Sequence, residues 1–294
     1  MTLKGVYTAL ITPFGADQSV DEGELRAIVD FQIEEGISGL VPMGTTGESP
    51  TVTHEENVHV IEVVAKQAAG RVPVIAGTGS NSTAEAIDMT RRAKDLGADA
   101  TLQVAPYYNK PSQEGMYRHF TTVAEEGGLP VLVYNIPGRT GKNIENDTML
   151  RLAKHPGIMG VKEASGSLPQ MMDLIERKPE DFIVLSGDDN LAVPLTLMGG
   201  RGVVSVASNL LPGRMTKMIQ NALDGNVKAT LTEHYALLPF FKALFLDTNP
   251  IPIKYAMYRA GKVGNEMYRL PLCPMNDATR KQVDQILKET GVIS

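Results

Sequence analysis

Four groups of polar residues in this chain end or interrupt apolar runs in a way those runs do not explain. Lys162 closes the run Ile158-Met159-Gly160-Val161. At its ordinary pKa of ~10.4, roughly one lysine in 2,500 is neutral at pH 7; desolvation lowers that pKa and turns the amine into a nucleophile toward carbonyls. Tyr134 ends a second run, and a phenol beside an amine can carry the protons of carbinolamine and imine formation. Gly44-Thr45-Thr46-Gly47-Glu48-Ser49 offers hydroxyls and turn amides that suit a carboxylate, and Arg139, between Gly138 and Gly141, offers a two-pronged fork for another. Each has a plainer explanation when taken alone. Lys162 can be a strand-end lysine that reaches solvent or pairs with Glu163, Tyr134 a buried tyrosine capping a backbone group, Arg139 a surface residue, and the Thr45-Thr46 turn ordinary structure. Together they point to carbonyl chemistry on small acids.

Those residues need a scaffold that brings them to one place. Eight short apolar runs predict strands at Val6–Thr12, Gly39–Met43, Val72–Gly77, Ala100–Ala105, Val131–Asn135, Ile158–Lys162, Phe182–Ser186 and Val203–Ala207, their starts spaced by 21 to 33 residues. That spacing is close to the ~30 residues of one strand–helix–strand step, and several runs are continuously apolar, as parallel strands covered on both faces are. Helical periodicity fills the intervals, as in Asp21–Gly36. Thr53 and Ser82, each with a Glu three residues on, predict capped helix starts, and Gly36, Gly97 and Gly127 predict helix ends. Eight such units argue for an α/β (β/α)8 TIM barrel rather than an open sheet, with its site at the C-terminal ends of the strands. Lys162, Tyr134, Thr45-Thr46 and the Pro106-Tyr107-Tyr108-Asn109 segment all fall at predicted strand ends. After Leu211 only helical patterns remain, at Met215–Leu223, Thr230–Leu246, Ile253–Ala260 and Asp277–Thr290. The expected organisation is a catalytic barrel over residues 1–224 and a helical region over 225–294, packed on the barrel or on a partner subunit.

Composition narrows the class further. The 294 residues are 43% hydrophobic and 21% charged with a net charge of −6, so disorder is excluded and no basic field for nucleic acid or anionic membranes exists. No apolar stretch reaches membrane-spanning length, and the broken N-terminal run does not form a signal peptide. The single cysteine, Cys273, rules out an internal disulfide and a thiolate zinc cluster, which suits a cytoplasmic protein. Gly77-Thr78-Gly79 lacks a third glycine at Ser82, no phosphate-binding Gly-Lys-Ser/Thr occurs, and His54 and His59 are spaced wrongly for one metal on one helical face. No cofactor or metal is expected.

The segments Gly44–Glu48, Tyr134–Gly141 and Val161–Gly166, in that order and spacing, resemble the dihydrodipicolinate synthase (4-hydroxy-tetrahydrodipicolinate synthase) family, and the similarity continues through Asn249-Pro-Ile-Pro-Ile-Lys254 and Arg269–Pro274. The wider superfamily of pyruvate-dependent lyases, including N-acetylneuraminate and keto-deoxy sugar acid lyases, shares the barrel and the lysine; Arg139 and the Asn-Pro-Ile-Pro segment favour the synthase branch. The resemblance implies a Schiff base between Lys162 and pyruvate, addition of its enamine to L-aspartate 4-semialdehyde, and cyclisation to 4-hydroxy-tetrahydrodipicolinate on the route to diaminopimelate and lysine. It implies a proton relay of Tyr134, Thr46 and Tyr108, the last reaching in from a neighbouring subunit. Thr45 and the turn amides would hold the pyruvate carboxylate, Arg139 that of the semialdehyde, and Gly187 and Val204 would line the imine. It also implies a homotetramer of tight dimers and an inhibitory L-lysine site at Ser49, Pro50, His54, Asn57, Asn81, Glu85 and Tyr107, where Asn57 replaces the histidine of well-inhibited relatives. A barrel that merely binds a small acid is the alternative from a different class.

Overall fold

Apolar strands that carry helices on their outer faces close on themselves, and this chain does so in its computed structural model, which describes residues 3–293. The strands are β1 (Gly5–Ala9), β2 (Gly39–Val41), β3 (Ile75–Gly77), β4 (Ala100–Val104), β5 (Val131–Asn135), β6 (Ile158–Glu163), β7 (Ile183–Ser186) and β8 (Gly202–Ser205). All pair in parallel in the order β2-β1-β8-β7-β6-β5-β4-β3. A parallel bridge between Leu40 and Val74, with the Gly77 amide donating to the Pro42 carbonyl at 2.9 Å, joins β2 to β3 and completes the ring. The fold is thus the expected (β/α)8 barrel with further helices at its C-terminal end.

The helices are α1 (Glu22–Glu34), α2 (His54–Ala68), α3 (Thr83–Asp95), α4 (Gln113–Gly127), α5 (Pro137–Thr140), α6 (Asn146–Leu152), α7 (Leu168–Arg177), α8 (Asp189–Leu197), α9 (Pro212–Leu223), α10 (Val227–Ala243), α11 (Ile251–Arg259) and α12 (Asp277–Glu289). Side chains alternate across the barrel wall. On β5, Leu132 and Tyr134 join the interior cluster with Leu102, Leu185 and Val204, while Val131 and Val133 face outward into the layer under α4, α6 and α7. The helical tail is not a separate packing unit, because Leu237, Phe240, Phe241, Val283 and Leu287 share one continuous core with Leu25, Ile28 and Met215 of the barrel helices.

Several expected strands are shorter than the apolar runs that announced them, for identifiable reasons. The run from Val72 becomes a strand only at Ile75, since Pro73 has no amide to donate. β2 stops before Pro42 and Met43, the latter with a positive φ of 58°. β1 stops at Ala9, and Thr12 beyond it donates its hydroxyl to the Gly47 carbonyl at 2.7 Å. β8 ends at Ser205 because the next two amides, of Val206 and Ala207, donate instead to the Asp189 carboxylate at 3.1 and 2.9 Å.

The capping expectations divide. Thr53 and Glu56 form the reciprocal capping box at the start of α2. Ser82 makes no cap bond. Its own amide donates to the Ser80 hydroxyl at 3.0 Å, and that hydroxyl donates to Glu85, the residue expected to reach back to Ser82. Gly36 and Gly97 follow their helices in the left-handed region, but Gly127 is still helical and Gly128 is the left-handed residue ending α4.

The β1–β8 seam depends on two glycines. Gly202 has φ +131°, and a Cβ there would stand 1.9 Å from the Gly5 carbonyl oxygen, a backbone atom that cannot move without opening the ladder. Gly202→Ala therefore costs about 3 kcal/mol or more of folding stability, to be read as a lower urea midpoint. A midpoint equal to that of the parent would mean that the seam tolerates a side chain.

Candidate active site

The alternation of the strands decides which polar residues enter the barrel mouth. Tyr134 of β5 stands opposite Lys162 of β6 in the parallel register, and both point inward; the next pair, Asn135 and Glu163, points outward. The Lys162 ammonium nitrogen lies 4.0 Å from the centre of the Tyr134 ring. Pairing between Lys162 and Glu163, the plainer reading of that lysine, does not occur. The Glu163 carboxylate accepts from Asn135 at 3.1 and 3.3 Å and from the Ser165 amide at 2.7 Å on the far side of the wall.

Lys162 is 6% exposed, and burial pulls its pKa down to about 8, opposed by the negative charges of Asp188 and Asp189 and assisted by Arg139. About one molecule in ten then carries a neutral amine at pH 7, roughly 200 times the fraction in an ordinary lysine. Burial drives the Tyr134 phenol the other way, upward, with Asp188 adding to the effect and Arg139 and Thr45 opposing it. At neutral pH the site therefore holds a partly deprotonated amine beside a fully protonated phenol, a pair suited to attack on a carbonyl and delivery of a proton to its oxygen.

The close approach of β7 depends on Gly187. A Cβ at this position would meet Ala164 Cβ at 2.7 Å and Lys162 Cε at 3.2 Å. Val204 is fully buried on the inner wall beside Tyr134 in the same cluster.

The two threonines are arranged differently from that expectation. Thr45 is the threonine whose hydroxyl acts on the Tyr134 phenol, opposing the rise of its pKa. Thr46 is buried, and its hydroxyl accepts from Asn249 Nδ2 at 3.0 Å. The threonine acting on the phenol is thus Thr45, the residue expected to hold a carboxylate, while the Thr46 hydroxyl is engaged by Asn249. The exchange has a local cause: Thr45–Gly47 form one 3-10 turn, so neighbouring side chains diverge to different walls.

Arg139 sits in α5, exposed at the mouth, with Nη2 donating to the Asn249 carbonyl at 3.3 Å. Asn249 thus touches both the Thr46 turn and Arg139, a link between two strand ends that no local sequence signal announces. Tyr108 does not enter the mouth of its own barrel. It is 89% exposed at φ +67°, on a tip that the Asn109 side chain fixes by donating to the Asn81 carbonyl at 2.9 Å.

A cavity of about 390 Å³ runs from Thr45, Tyr134 and Arg139 to Ser49, Pro50, His54, Asn57, Glu85 and Tyr107. Tyr134, Thr45 and Arg139 thus share one hollow with the candidate regulatory residues, while Lys162 lies behind the Tyr134 ring and does not line it; Asn81 donates to the Tyr107 carbonyl at 3.2 Å. Glu85 is already engaged, by His54 Nε2 at 2.6 Å and by the Ser80 hydroxyl. Asn57 is buried, and its side-chain oxygen has no hydrogen-bond partner among the described residues.

Among the described residues no three His, Cys, Asp or Glu side chains gather as a metal-binding group, and no helix is long and apolar enough to cross a membrane. The lowered pKa of Lys162 has a direct chemical signature. Cyanate carbamylates only neutral amines, so modification of Lys162, followed by peptide mass spectrometry, rises with pH and reaches half its maximum near pH 8. Surface lysines continue to gain reactivity up to about pH 10. A Lys162 profile that coincides with theirs would show an ordinary, solvated amine.

The chain matches the Dihydrodipicolinate synthetase family over residues 2–290. It is 47% identical over 294 residues to the 4-hydroxy-tetrahydrodipicolinate synthase of Maridesulfovibrio salexigens, covering all of both chains. Among solved structures, it resembles a dihydrodipicolinate synthase from Acinetobacter baumannii complexed with pyruvate, at 42% identity and a TM-score of 0.97, over 99% of this chain and 100% of that one. It is similar also to the enzyme from Cyanidioschyzon merolae with lysine bound, at 41% identity and a TM-score of 0.95, over 99% of each. With the barrel, the buried lysine and the full-length match in agreement, the chain belongs to the dihydrodipicolinate synthetase family.

Proposed function

We propose that this protein condenses pyruvate with L-aspartate 4-semialdehyde to give 4-hydroxy-tetrahydrodipicolinate, using Lys162 as the imine-forming residue. The observation that carries the proposal is the buried Lys162 amine held 4.0 Å from the Tyr134 ring at the end of β6, with its pKa lowered to about 8. Full-length similarity to proteins named as this synthase supports the choice of reaction.

The neutral Lys162 amine attacks the C2 carbonyl of pyruvate, and the oxygen takes a proton from Tyr134. Loss of that oxygen as water leaves the imine. Removal of a methyl proton gives the enamine, whose carbon adds to the aldehyde carbon of the second substrate, while the aldehyde oxygen is protonated. The substrate's own amino group then displaces Lys162 from C2, closing the ring and freeing the amine. No oxidant or reductant is needed, and each proton taken is returned at a later step.

Within this scheme Thr45 adjoins the phenol and passes its proton onward, the Thr46 turn receives the pyruvate carboxylate, and Arg139 the carboxylate of the semialdehyde. Tyr108, projecting away from its own barrel, completes the relay of a neighbouring subunit, which makes a tight dimer the smallest complete unit and the tetramer its doubled form. A sugar-acid lyase would keep Lys162 and Tyr134 but would need a polyol-binding wall in place of Arg139.

Borohydride added with pyruvate fixes a pyruvyl adduct on Lys162, visible as a mass increase on its peptide; an unmodified Lys162 removes imine catalysis altogether. Assay with L-aspartate 4-semialdehyde against N-acetylneuraminate separates the synthase from the sugar-acid lyase. Arg139→Ala lowers kcat/KM for the semialdehyde by about 100-fold, as loss of a bidentate charged contact does, and leaves imine trapping within about threefold. Equal loss of both would place Arg139 elsewhere in the mechanism.

We also propose that L-lysine binds the outer end of the cavity and inhibits weakly to moderately. Glu85 would receive the ligand's ammonium in competition with His54, and Asn81 and Tyr107 would meet its carboxylate. Millimolar lysine is expected to reduce turnover partially and to give a saturable heat in calorimetry. Unchanged turnover together with no heat would empty that site of its role.

A further inference from the structure

The deepest ion pair among the described residues lies outside the reacting groups yet is built onto the turn that carries two of them. Glu48 and Lys254 are each about 1% exposed, and Lys254 Nζ donates to Glu48 Oε1 at 2.6 Å. The same ammonium donates to the Met267 carbonyl at 2.6 Å and lies 4.4 Å from the Phe14 ring centre and 5.4 Å from that of Tyr268. The other Glu48 oxygen accepts from the Arg269 amide at 3.3 Å. Glu48 itself is left-handed, at φ 57° and ψ 33°, and forms the joint between the 3-10 turns Thr45–Gly47 and Ser49–Thr51. A glutamate in that conformation costs roughly 1 to 3 kcal/mol unless its surroundings impose it.

The partner side of the pair is equally specific. Lys254 lies in α11, five residues after Asn249, whose amide donates to Thr46 at 3.0 Å and whose carbonyl receives Arg139 at 3.3 Å. One short segment of the helical tail therefore grips the turn at two points, Thr46 and Glu48, on either side of Gly47. Burying two charges is a poor route to stability alone, since an apolar pair of the same volume commonly does as well. A turn that must hold hydroxyls and amides at fixed positions is a different requirement.

We propose that Glu48 and Lys254 form a positioning pair, in which the tail fixes the Thr45–Thr46 turn against Tyr134 and so sets the affinity for the keto acid. Neither residue touches substrate. The effect on pyruvate rests on the function proposed above; the effect on the turn does not.

The experiment uses the full chain and three variants, Glu48→Gln, Lys254→Met and the double variant. Hydrogen exchange by mass spectrometry, without substrate, reads the peptide spanning residues 43–53 against one spanning 131–145. Glu48→Gln is expected to speed exchange of the first at least tenfold and leave the second unchanged. With pyruvate and borohydride, the concentration giving half-maximal trapping at Lys162 rises at least fivefold while the maximal extent is retained. In the double variant the thermal midpoint returns toward that of the parent, because no charge is left unpaired, yet fast exchange and weak pyruvate binding persist. Recovery of all three together would reduce the pair to structural support and overturn the proposal, as would unchanged exchange of residues 43–53 in Glu48→Gln. Lys254→Arg, which keeps the charge but displaces the donor, carries the same exchange expectation should Glu48→Gln fail to fold. Absence of trapping in the parent would count against the imine chemistry only, and the exchange data would still decide the clamp.

Discussion

The cost of hiding a charged amine from water is the constraint on which this molecule's site depends. Among the described residues two lysines are buried, Lys162 and Lys254, and their surroundings differ. Lys254 meets a carboxylate at 2.6 Å together with a carbonyl and two ring faces, so its charge is accommodated. Lys162 has no carboxylate within ion-pair distance among the described residues, only the more distant charges of Asp188 and Asp189 and the face of Tyr134. Desolvation pulls both amines' pKa down; at Lys254 the directly paired Glu48 opposes the fall, whereas at Lys162 no such partner stands in contact and a usable minority of the amine is neutral near pH 7. The barrel wall enforces the difference. The period of two sends Glu163, the carboxylate nearest to Lys162 in sequence, to the opposite face, where Asn135 and the Ser165 amide occupy it.

The outward-facing network then acts back on the mouth. The Asn135 side chain donates to Glu163 and to Asn143 Oδ1 at 2.9 Å, and its oxygen accepts from the Ile144 amide at 3.0 Å; Asn143 in turn donates to Gln170 at 2.9 Å. These bonds hold the stretch after β5 that contains Arg139, an exposed arginine whose amide donates to the Ile136 carbonyl at 3.0 Å. Rigid support of an exposed fork lowers the ordering entropy to be met when a carboxylate arrives. Substrate contact and wall packing are thus successive residues of the same strands, Tyr134 with Asn135 and Lys162 with Glu163.

Much of this was legible in the sequence because it follows from short periods. The eight apolar runs, their spacing and the polar residues closing them located every strand and placed Lys162 and Tyr134 at the mouth. Strand ends were misjudged where a side chain far away in sequence captures the amides, as Asp189 does beyond β8, or where a proline removes one, as at Pro73. The capping of α3 misled for a similar reason: Ser80, outside the expected motif, had taken the place of Ser82. Within the site, residue types were readable but their division of labour was not. Nothing in Thr45-Thr46 as a dipeptide tells which hydroxyl meets the phenol, since the turn's rotation decides it.

The segment Asn249–Lys254 is recognisable as a motif, but the contacts of Asn249 and Lys254 are not readable from it, for a deeper reason. Their partners, Thr46 and Glu48, lie about 200 residues earlier, and the contact exists only because α10 packs along α8 and α9 and returns the chain to the mouth. Closing so long a loop costs conformational entropy that grows only logarithmically with its length, and the shared apolar core of the tail and the barrel supplies the compensation. The helical tail is then best understood as the means by which a barrel, whose strands fix the lysine and the tyrosine and whose Thr12 holds the turn after β2 only at Gly47, acquires a third fixed side.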